Sequence, residues 1–516
     1  MKNMNKVAKS AIYLMIATIL SKILGFAREL VLSSSYGASA YSDAYITAVN
    51  IPVVIFSAVG MALATTVIPL YYEKQKIGGS EKGIEFINNI MNIVLIISSI
   101  LAILGFIFAR QLVGIVAIGF EGETLDLAIK FTRILIFGII FVGISNIITS
   151  YLQTQNQFAV PGLIGVPFNI IVIISIILSV KINIYILPIG TLIGIISQFL
   201  FQYPFAKKLG YKYKYYINIK DEYIKKMMWL VCPVFIGVSV NQINAIVDRC
   251  IASTLMEGTI SALNYANRLN GFVIGLFIAS IGAVIYPMLS KLSNEKNQNK
   301  FIKSVSQSIN SVILLVIPVS VGAMVLSYPI VKLLFERGQF SPQATAMTAS
   351  ALVFFSIGMV AFGLRDILGK VFYSLQDTKT PMINGAISMI LNIILSLILV
   401  KFMGHNGLAF ATSLSSILCI ILLFVSLKKK IGYFGQDNII KTSLKSLGSA
   451  ILMGIVTFYS YNQLSYIMGS STVGQIISLG SAVFIGALVY LILIVLLKID
   501  EVEIIKSKLK KVIESK

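Results

Sequence analysis

The sequence predicts an all-α polytopic membrane protein of about fourteen transmembrane helices, in two pseudo-symmetric six-helix lobes with two helices appended. Three observations carry that expectation. The first is composition: of 516 residues, 57% are hydrophobic and 12% charged, against about 25% charged in soluble domains. Mean hydropathy is +0.88. The second is block length. The apolar blocks run about 20 residues, the length of a spanning helix and twice that of a barrel strand. A helix also satisfies all its backbone groups within one segment, as lipid requires. The third is a weak internal repeat at an offset of about 220 residues.

The spans follow in order. Lys2, Lys6 and Lys9 precede the first, 11–33, and the second is 44–71. Lys74, Lys76 and Lys82 separate it from the third, 84–108. The fourth, 125–150, begins with Lys130 and Arg133, whose long stems can snorkel outward. Pro161 opens the fifth, 160–180, and the sixth is 184–206. A connector with Lys207, Lys208, Lys212, Lys214, Lys220, Lys225 and Lys226 leads to the seventh, 227–252, and the eighth, 262–289. After Lys291, Lys296, Lys300 and Lys303 come 304–327, 343–372, 382–402 and 407–427. Lys428, Lys429 and Lys430 then precede 441–461 and 473–497, and a Lys-rich tail ends the chain. The intervening connectors Ser33–Tyr41 and Tyr461–Thr472 hold no lysine. One register explains this alternation: an even number of spans with both termini cytoplasmic. The net charge of +21 is then topological, and no nucleic-acid-binding motif accompanies it.

The repeat pairs Arg28-Glu29 with Asp248-Arg249, Val67-Ile68-Pro69-Leu70 with Ile285-Tyr286-Pro287-Met288, and Pro161 with Pro381. Six spans separate each pair, so the halves are parallel, related by an axis along the membrane normal. The expected domains are an N-terminal lobe at 1–220, a C-terminal lobe at 221–430, and the appended spans with the tail at 431–516.

Chemistry-bearing residues are few. Cys232, Cys250 and Cys419 have no metal spacing and read as packing residues. His405, the sole histidine, lies in a short connector and is expected at the surface. No Walker A pattern and no acid/base set is present, so the chain is expected to be neither an ATP motor nor an enzyme, and to use no cofactor. Energy would come from the membrane potential or an ion gradient.

The ionisable residues at membrane depth are the informative ones, since each costs roughly 2.5–3.5 kcal/mol to insert and such groups usually line a wet cavity. Lys22, Arg28 and Glu29 lie in the first span and Asp43 at the start of the second. Arg28 suits bidentate contact with phosphate oxygens, or an ion pair with Glu29, Asp43 or Asp248. Arg268, early in the eighth span, would complete a two-arginine clamp or anchor that span at the outer surface. Arg365, Asp366 and Lys370 form an internal set in which Arg365 and Asp366 are expected to satisfy each other. Asp248, Asn392, Ser396 and Thr412 bear oxygens that would suit sodium, or would bond between helices.

Several stretches carry a family resemblance. They are Ser21-Lys22-Ile23-Leu24-Gly25-Phe26-Ala27-Arg28-Glu29, Ser42-Asp43-Ala44-Tyr45 and Gly237-Val238-Ser239-Val240-Asn241-Gln242. Tyr265-Ala266-Asn267-Arg268-Leu269, Phe335-Glu336-Arg337-Gly338-Gln339-Phe340 and the run Phe372–Pro381 join them. Together they resemble the lipid II flippase family (MurJ/MviN) of the multidrug/oligosaccharidyl-lipid/polysaccharide exporter superfamily, over nearly the whole chain. The resemblance implies a cationic cavity between two lobes in a bacterial cell membrane. It implies alternating access that carries undecaprenyl-pyrophosphate-linked muropeptide, lipid II, to the outer leaflet. It implies that Arg28 and Arg268 serve the head group with Lys22, Glu29 and Asp43 beside them, and that spans thirteen and fourteen form a groove for the lipid tail. Asp248, Asn392, Ser396 and Thr412 match a sodium site of some members, with Ser396 in place of a carboxylate. Phe56 and Ser57 stand where many members carry arginines, and Asn270 and Gly271 where an acidic residue often follows. Wall-synthesis enzymes are expected partners. The competing readings are an exporter of another polyprenyl-linked oligosaccharide, a multidrug/cation antiporter, which would want carboxylates where this chain has arginines, and a non-transporting scaffold.

Overall fold

The computed structural model describes residues 2–295 and 297–503, though not the side chains of residues 2–16, 55–59, 61–65, 230, 232–241, 276–277, 279–280 and 283–284. Phe56, Ser57, Cys232, most of the Gly237–Gln242 stretch, Lys296 and the Lys-rich tail beyond residue 503 thus lie outside the described side chains. Between its connectors the described chain is helical, and no strand occurs among the described residues. The first helices are α1 (Lys2–Tyr36), α2 (Ala40–Ile107), α3 (Ala109–Val116), α4 (Gly122–Leu135), α5 (Gly138–Thr154) and α6 (Ala159–Leu163). Next come α7 (Gly165–Lys181), α8 (Ile186–Lys208), α9 (Glu222–Ser253), α10 (Thr259–Asn294), α11 (Gln298–Val325) and α12 (Ser327–Phe335). The last are α13 (Pro342–Ile357), α14 (Met359–Ser374), α15 (Lys379–Met403), α16 (His405–Ile431), α17 (Gln436–Met468) and α18 (Thr472–Leu496).

Among the described residues eight helices are long and apolar enough to span a membrane, or up to ten when each of two bent pairs counts once. The expected spans at 11–33, 44–71, 227–252 and 262–289 fall on α1, the first part of α2, α9 and α10, each of which carries side chains outside those described. The long α2 is two helices in effect. Gly78 and Gly79 leave helical geometry between them, and Gly79 takes a φ of 73° that a side chain would strain.

The repeat is visible in the backbone. The pair α4–α5 bends by 41° and the pair α13–α14 by 45°, and their bounds differ by 220 to 222 residues. Each pair ends in the same turn. Asn156 and Gln376 have φ of 58° and 59°, and the next amides, of Gln157 and Asp377, donate to the carbonyls of Leu152 and Phe372. A break at membrane depth must find new partners for the carbonyls it frees. At the α13–α14 break Ser413 donates to the Phe354 carbonyl at 2.6 Å, and Ser320 donates to that of Ser356. Gly358 is required there, since a Cβ would lie 2.6 Å from the Ser413 hydroxyl.

The chain divides into two compact units: Met1–Ser261 with Arg337–Phe340, and Ala262–Glu336 with Ser341–Lys516. In the first, α2 packs on α4, α5 and α9, and α7 on α1 and α8. The connector between α8 and α9 is an ordered strap. Asn88 of α2 donates to the Lys212 carbonyl and accepts from the Tyr211 hydroxyl. Asn89 pairs with both backbone groups of Asn218, and Asn92 with Tyr213 and the Tyr216 carbonyl. The lysines of this connector therefore sit on a fixed ribbon. In the second unit, α11 packs on α17, α15 on α16, and α17 on α18 around a core that includes Val312, Val316, Leu368, Phe372 and Leu423.

The α14–α15 connector carries a titrating clasp. Asp377 accepts from Lys430 at 2.5 Å and from the amide and hydroxyl of Thr380. The Lys430 ammonium above all, then the Thr380 bonds, hold its carboxyl down at about 2. A depressed pKa contributes stability above the unfolded value and loses it as pH falls through the folded one. The thermal midpoint of Asp377→Asn is therefore expected to lie below wild type by the same small margin at pH 7 and pH 5. An exposed pair contributes no more than about 1 kcal/mol. The margin closes between about pH 4 and pH 2; a margin that closes above pH 5 would assign it to another group.

Candidate functional site

The site begins on α1, whose small residues let it lie close to α6 and α7. Ser21 donates to the Gly162 carbonyl at 2.9 Å, and Asn169 donates to the Ser21 and Gly165 carbonyls. Gly25 faces the Asn169 amide across the same seam. This contact fixes the rotation of α1 and so the direction of the charges that follow.

Arg28 Nη2 donates to Glu29 Oε1 at 2.8 Å, and its Cζ lies 5.3 Å from the centre of the Phe168 ring. Glu29 is buried, while a fifth of the Arg28 side chain stays exposed. Of the three carboxylates considered as partners, the structure pairs Arg28 with Glu29. A guanidinium has five donors in a planar fork, so one bond to Glu29 and one stacked face leave it donors for an anion. Lys22 is exposed on the same helix.

Asp43, in the first turn of α2, turns to a different task. Its carboxylate accepts from the Gly258 amide at 2.8 Å, and from the Ser261 amide and hydroxyl at 2.8 and 2.5 Å. It thus caps the start of α10 from another helix. Gly258 has a φ of 83°, and a Cβ there would lie 2.4 Å from the Ala38 carbonyl oxygen, so the loop approaches the turn before α2 backbone to backbone. Nearby, Gly338 brings a second loop against Ser34, with the Gln339 amide donating to its carbonyl.

Arg268 lies on the exposed side of α10, in the second unit. Asp248, on α9 of the first unit, accepts from Asn244 at 3.3 Å. Asn392, Ser396 and Thr412 gather in the second unit, where the Asn392 amide donates to Thr412 Oγ1 and Ser415 Oγ, each at 3.3 Å. Asn392 and Ser396 are buried.

Two expectations change. Asp366 pairs with Lys370, not with Arg365. Residues four apart share a helix face, whereas adjacent ones point about 100° apart. His405, expected at the surface, is half-buried, with Nε2 3.1 Å from the Ser350 hydroxyl. Buried Cys419 lies 3.7 Å from the Asn384 carbonyl as a packing residue.

An apolar groove of about 650 Å³ opens among α11, the end of α13, α14, α16 and α17, lined in part by Ile317, Met324, Leu364, Phe424, Ile439 and Leu447. The sequence offered no local signal for it, because its walls come from five helices spread over more than 130 residues.

Comparisons with known proteins bear on the family and the fold. The family model described as lipid II flippase MurJ matches residues 32–480. A probable lipid II flippase MurJ of Buchnera aphidicola subsp. Baizongia pistaciae is 31% identical over 88% of this chain and 90% of its own length. One of Vibrio cholerae is 32% identical over 81% and 82%. A solved lipid II flippase MurJ in an inward closed conformation superposes with a TM-score of 0.82 at 31% identity, over 95% of this chain and 100% of that one. A multidrug resistance MATE transporter of the MOP superfamily, inward-facing, shares the fold at 15% identity and a TM-score of 0.69. With most of its length matched in sequence and in fold, the chain belongs to the lipid II flippase family, MurJ.

Proposed function

We infer that this protein is a lipid II flippase, moving undecaprenyl-pyrophosphate-linked muropeptide from the inner to the outer leaflet by alternating access. The observation that carries the reading is Arg28, an intramembrane cation held by Glu29 and stacked on Phe168 with part of its side chain exposed. A lipid diphosphate is an anion on a long apolar chain, and it needs a cationic head-group site and an apolar path for its tail. Arg28 and Arg268 would grip the diphosphate, with Lys22 adding charge. Glu29 holds the guanidinium until the ligand arrives. The groove lined by Phe424 and Leu447 would take part of the tail. The membrane is the bacterial cytoplasmic membrane, with both termini cytoplasmic, as the lysine-rich connectors support. Wall-synthesis enzymes that supply or use lipid II are the natural partners.

An inside-negative potential would help return an empty cationic cavity inward, each charge gaining about 2.3 kcal/mol per 100 mV. Asp248, Asn392, Ser396 and Thr412 supply one carboxylate and neutral oxygens, a donor set of the kind a hard monovalent cation takes. These residues would hold sodium and add an ion gradient as an energy source. Transport unchanged by removing sodium would sink that part alone.

The test is outer-leaflet appearance of lipid II in cells depleted of their own flippase and carrying this protein. Restoration is expected. Lipid II trapped inside despite correct insertion would leave another polyprenyl-linked glycan as the better substrate.

A further inference from the structure

A polar pocket also lies within the second unit. Two adjoining cavities of about 490 and 570 Å³ lie between the C-terminal half of α10 and α14 and share Tyr286, Asp366 and Lys370. Ligand sites run from about 300 to 1,000 Å³. The smaller cavity is otherwise mostly apolar, with Ile274 and Ile278 in its wall; the larger adds Arg365 and Tyr373. Lys370 Nζ lies 2.5 Å from Asp366 Oδ2, one turn back on α14, and about a quarter of its side chain is exposed. The amine crosses α10 at Gly282, where a Cβ would lie 1.9 Å from Nζ. Three ionisable groups within six residues of an apolar helix require a wet cavity, and two cations against one carboxylate leave the lining positive. Tyr286 is in the C-terminal part of α10, whose last turn carries Lys291, and α14 ends at Ser374, shortly before Lys379. Both ends belong to the lysine-rich side of the chain, the side from which a cytoplasmic substrate is loaded.

We propose that this pocket is a phosphate-ester subsite on the loading side, where Lys370 exchanges Asp366 for a phosphate oxygen while Arg365 and the hydroxyls of Tyr286 and Tyr373 complete the lining. Asp366 serves as a resident anion that keeps the lysine in place when the pocket is empty. Gly282 sets where the amine can sit. The identity of the ester as a polyprenyl diphosphate rests on the flippase reading; a phosphate-bearing bilayer lipid shares the chemistry.

The experiment measures ligand retention by the purified full-length protein in phosphatidylcholine nanodiscs, by native mass spectrometry. Farnesyl diphosphate and phosphatidylglycerol are titrated in separate arms. Lys370→Met is expected to weaken farnesyl diphosphate binding about tenfold in an Arg28→Ala, Glu29→Gln background, where the first site is silenced without stranding a buried charge. Gly282→Ala, which displaces the amine without removing it, is expected to weaken it severalfold. Asp366→Asn frees the lysine and is expected to tighten binding, a direction that a merely structural ion pair would not give. Preference for farnesyl diphosphate assigns the pocket to the substrate, and equal retention of phosphatidylglycerol assigns it to bilayer lipid; both support the subsite. Binding unchanged by Lys370→Met, or weakened by Asp366→Asn, overturns it. Those outcomes leave lipid II transport by the wild type intact, and loss of that transport would leave the binding result standing.

Discussion

Arg28→Ala is expected to abolish lipid II transport at wild-type expression, and Arg28→Lys to reduce it at least tenfold. A hydrogen bond to a charged group contributes about 1.5–3 kcal/mol, so losing a two-pronged contact with a diphosphate costs well over a hundredfold in binding. Lysine keeps the charge but not the planar fork that meets two oxygens at once. The complication is Glu29, buried and bonded to the guanidinium. Removing one partner of a buried pair is destabilising by about 3–5 kcal/mol because the other charge is stranded. Arg28→Ala with Glu29→Gln removes both charges and is expected to recover the thermal midpoint without recovering transport. A double variant that regains transport would make Arg28 a structural partner of Glu29 and nothing more.

What the sequence made legible follows from the range of each interaction. The spans and the repeat announce themselves locally, through apolar run length, lysine-rich connectors and prolines at matched offsets. The break between α13 and α14 does not. Residues 350–364 read as one uninterrupted apolar helix, and the groups that make a break tolerable, Ser320 and Ser413, come from α11 and α16. The pairing of Asp366 was legible in principle, since Lys370 stands at the helical spacing of four; reading neighbours in sequence as neighbours in space sent it to Arg365. Adjacent Arg28 and Glu29 do meet, because Glu29 is buried and the long arginine side chain reaches across to it. The ordered strap over Asn88, Asn89 and Asn92 was hidden for the opposite reason. Its lysines carry a topological signal that masks the backbone bonds holding the ribbon down. The partner of Asp43 lay furthest from view, 218 residues away at Ser261.

That distance makes Asp43 the site of the second large effect. Asp43→Ala is expected to lower stability by about 3 kcal/mol, since two amides and a hydroxyl lose a charged acceptor in a buried place. The buried donors are the amides of Gly258 and Ser261, at the first turn of α10. An anion at a helix N-terminus adds roughly 0.3–1 kcal/mol through the helix dipole. No neighbouring group replaces it easily: Gly258 is pressed against the Ala38 carbonyl, and the Ser42 hydroxyl already bonds to Ser261. Asp43→Asn keeps one acceptor oxygen but turns an amide donor toward a backbone N–H, so it is expected to lose more than half of the same stability. The measurement is the thermal midpoint of the detergent-solubilised protein beside lipid II transport at a temperature where the variant stays folded. Transport restored at low temperature together with a lowered midpoint identifies the carboxylate as the clasp between α2 and the start of α10. Transport lost at every temperature with the midpoint unchanged would return Asp43 to the head-group site.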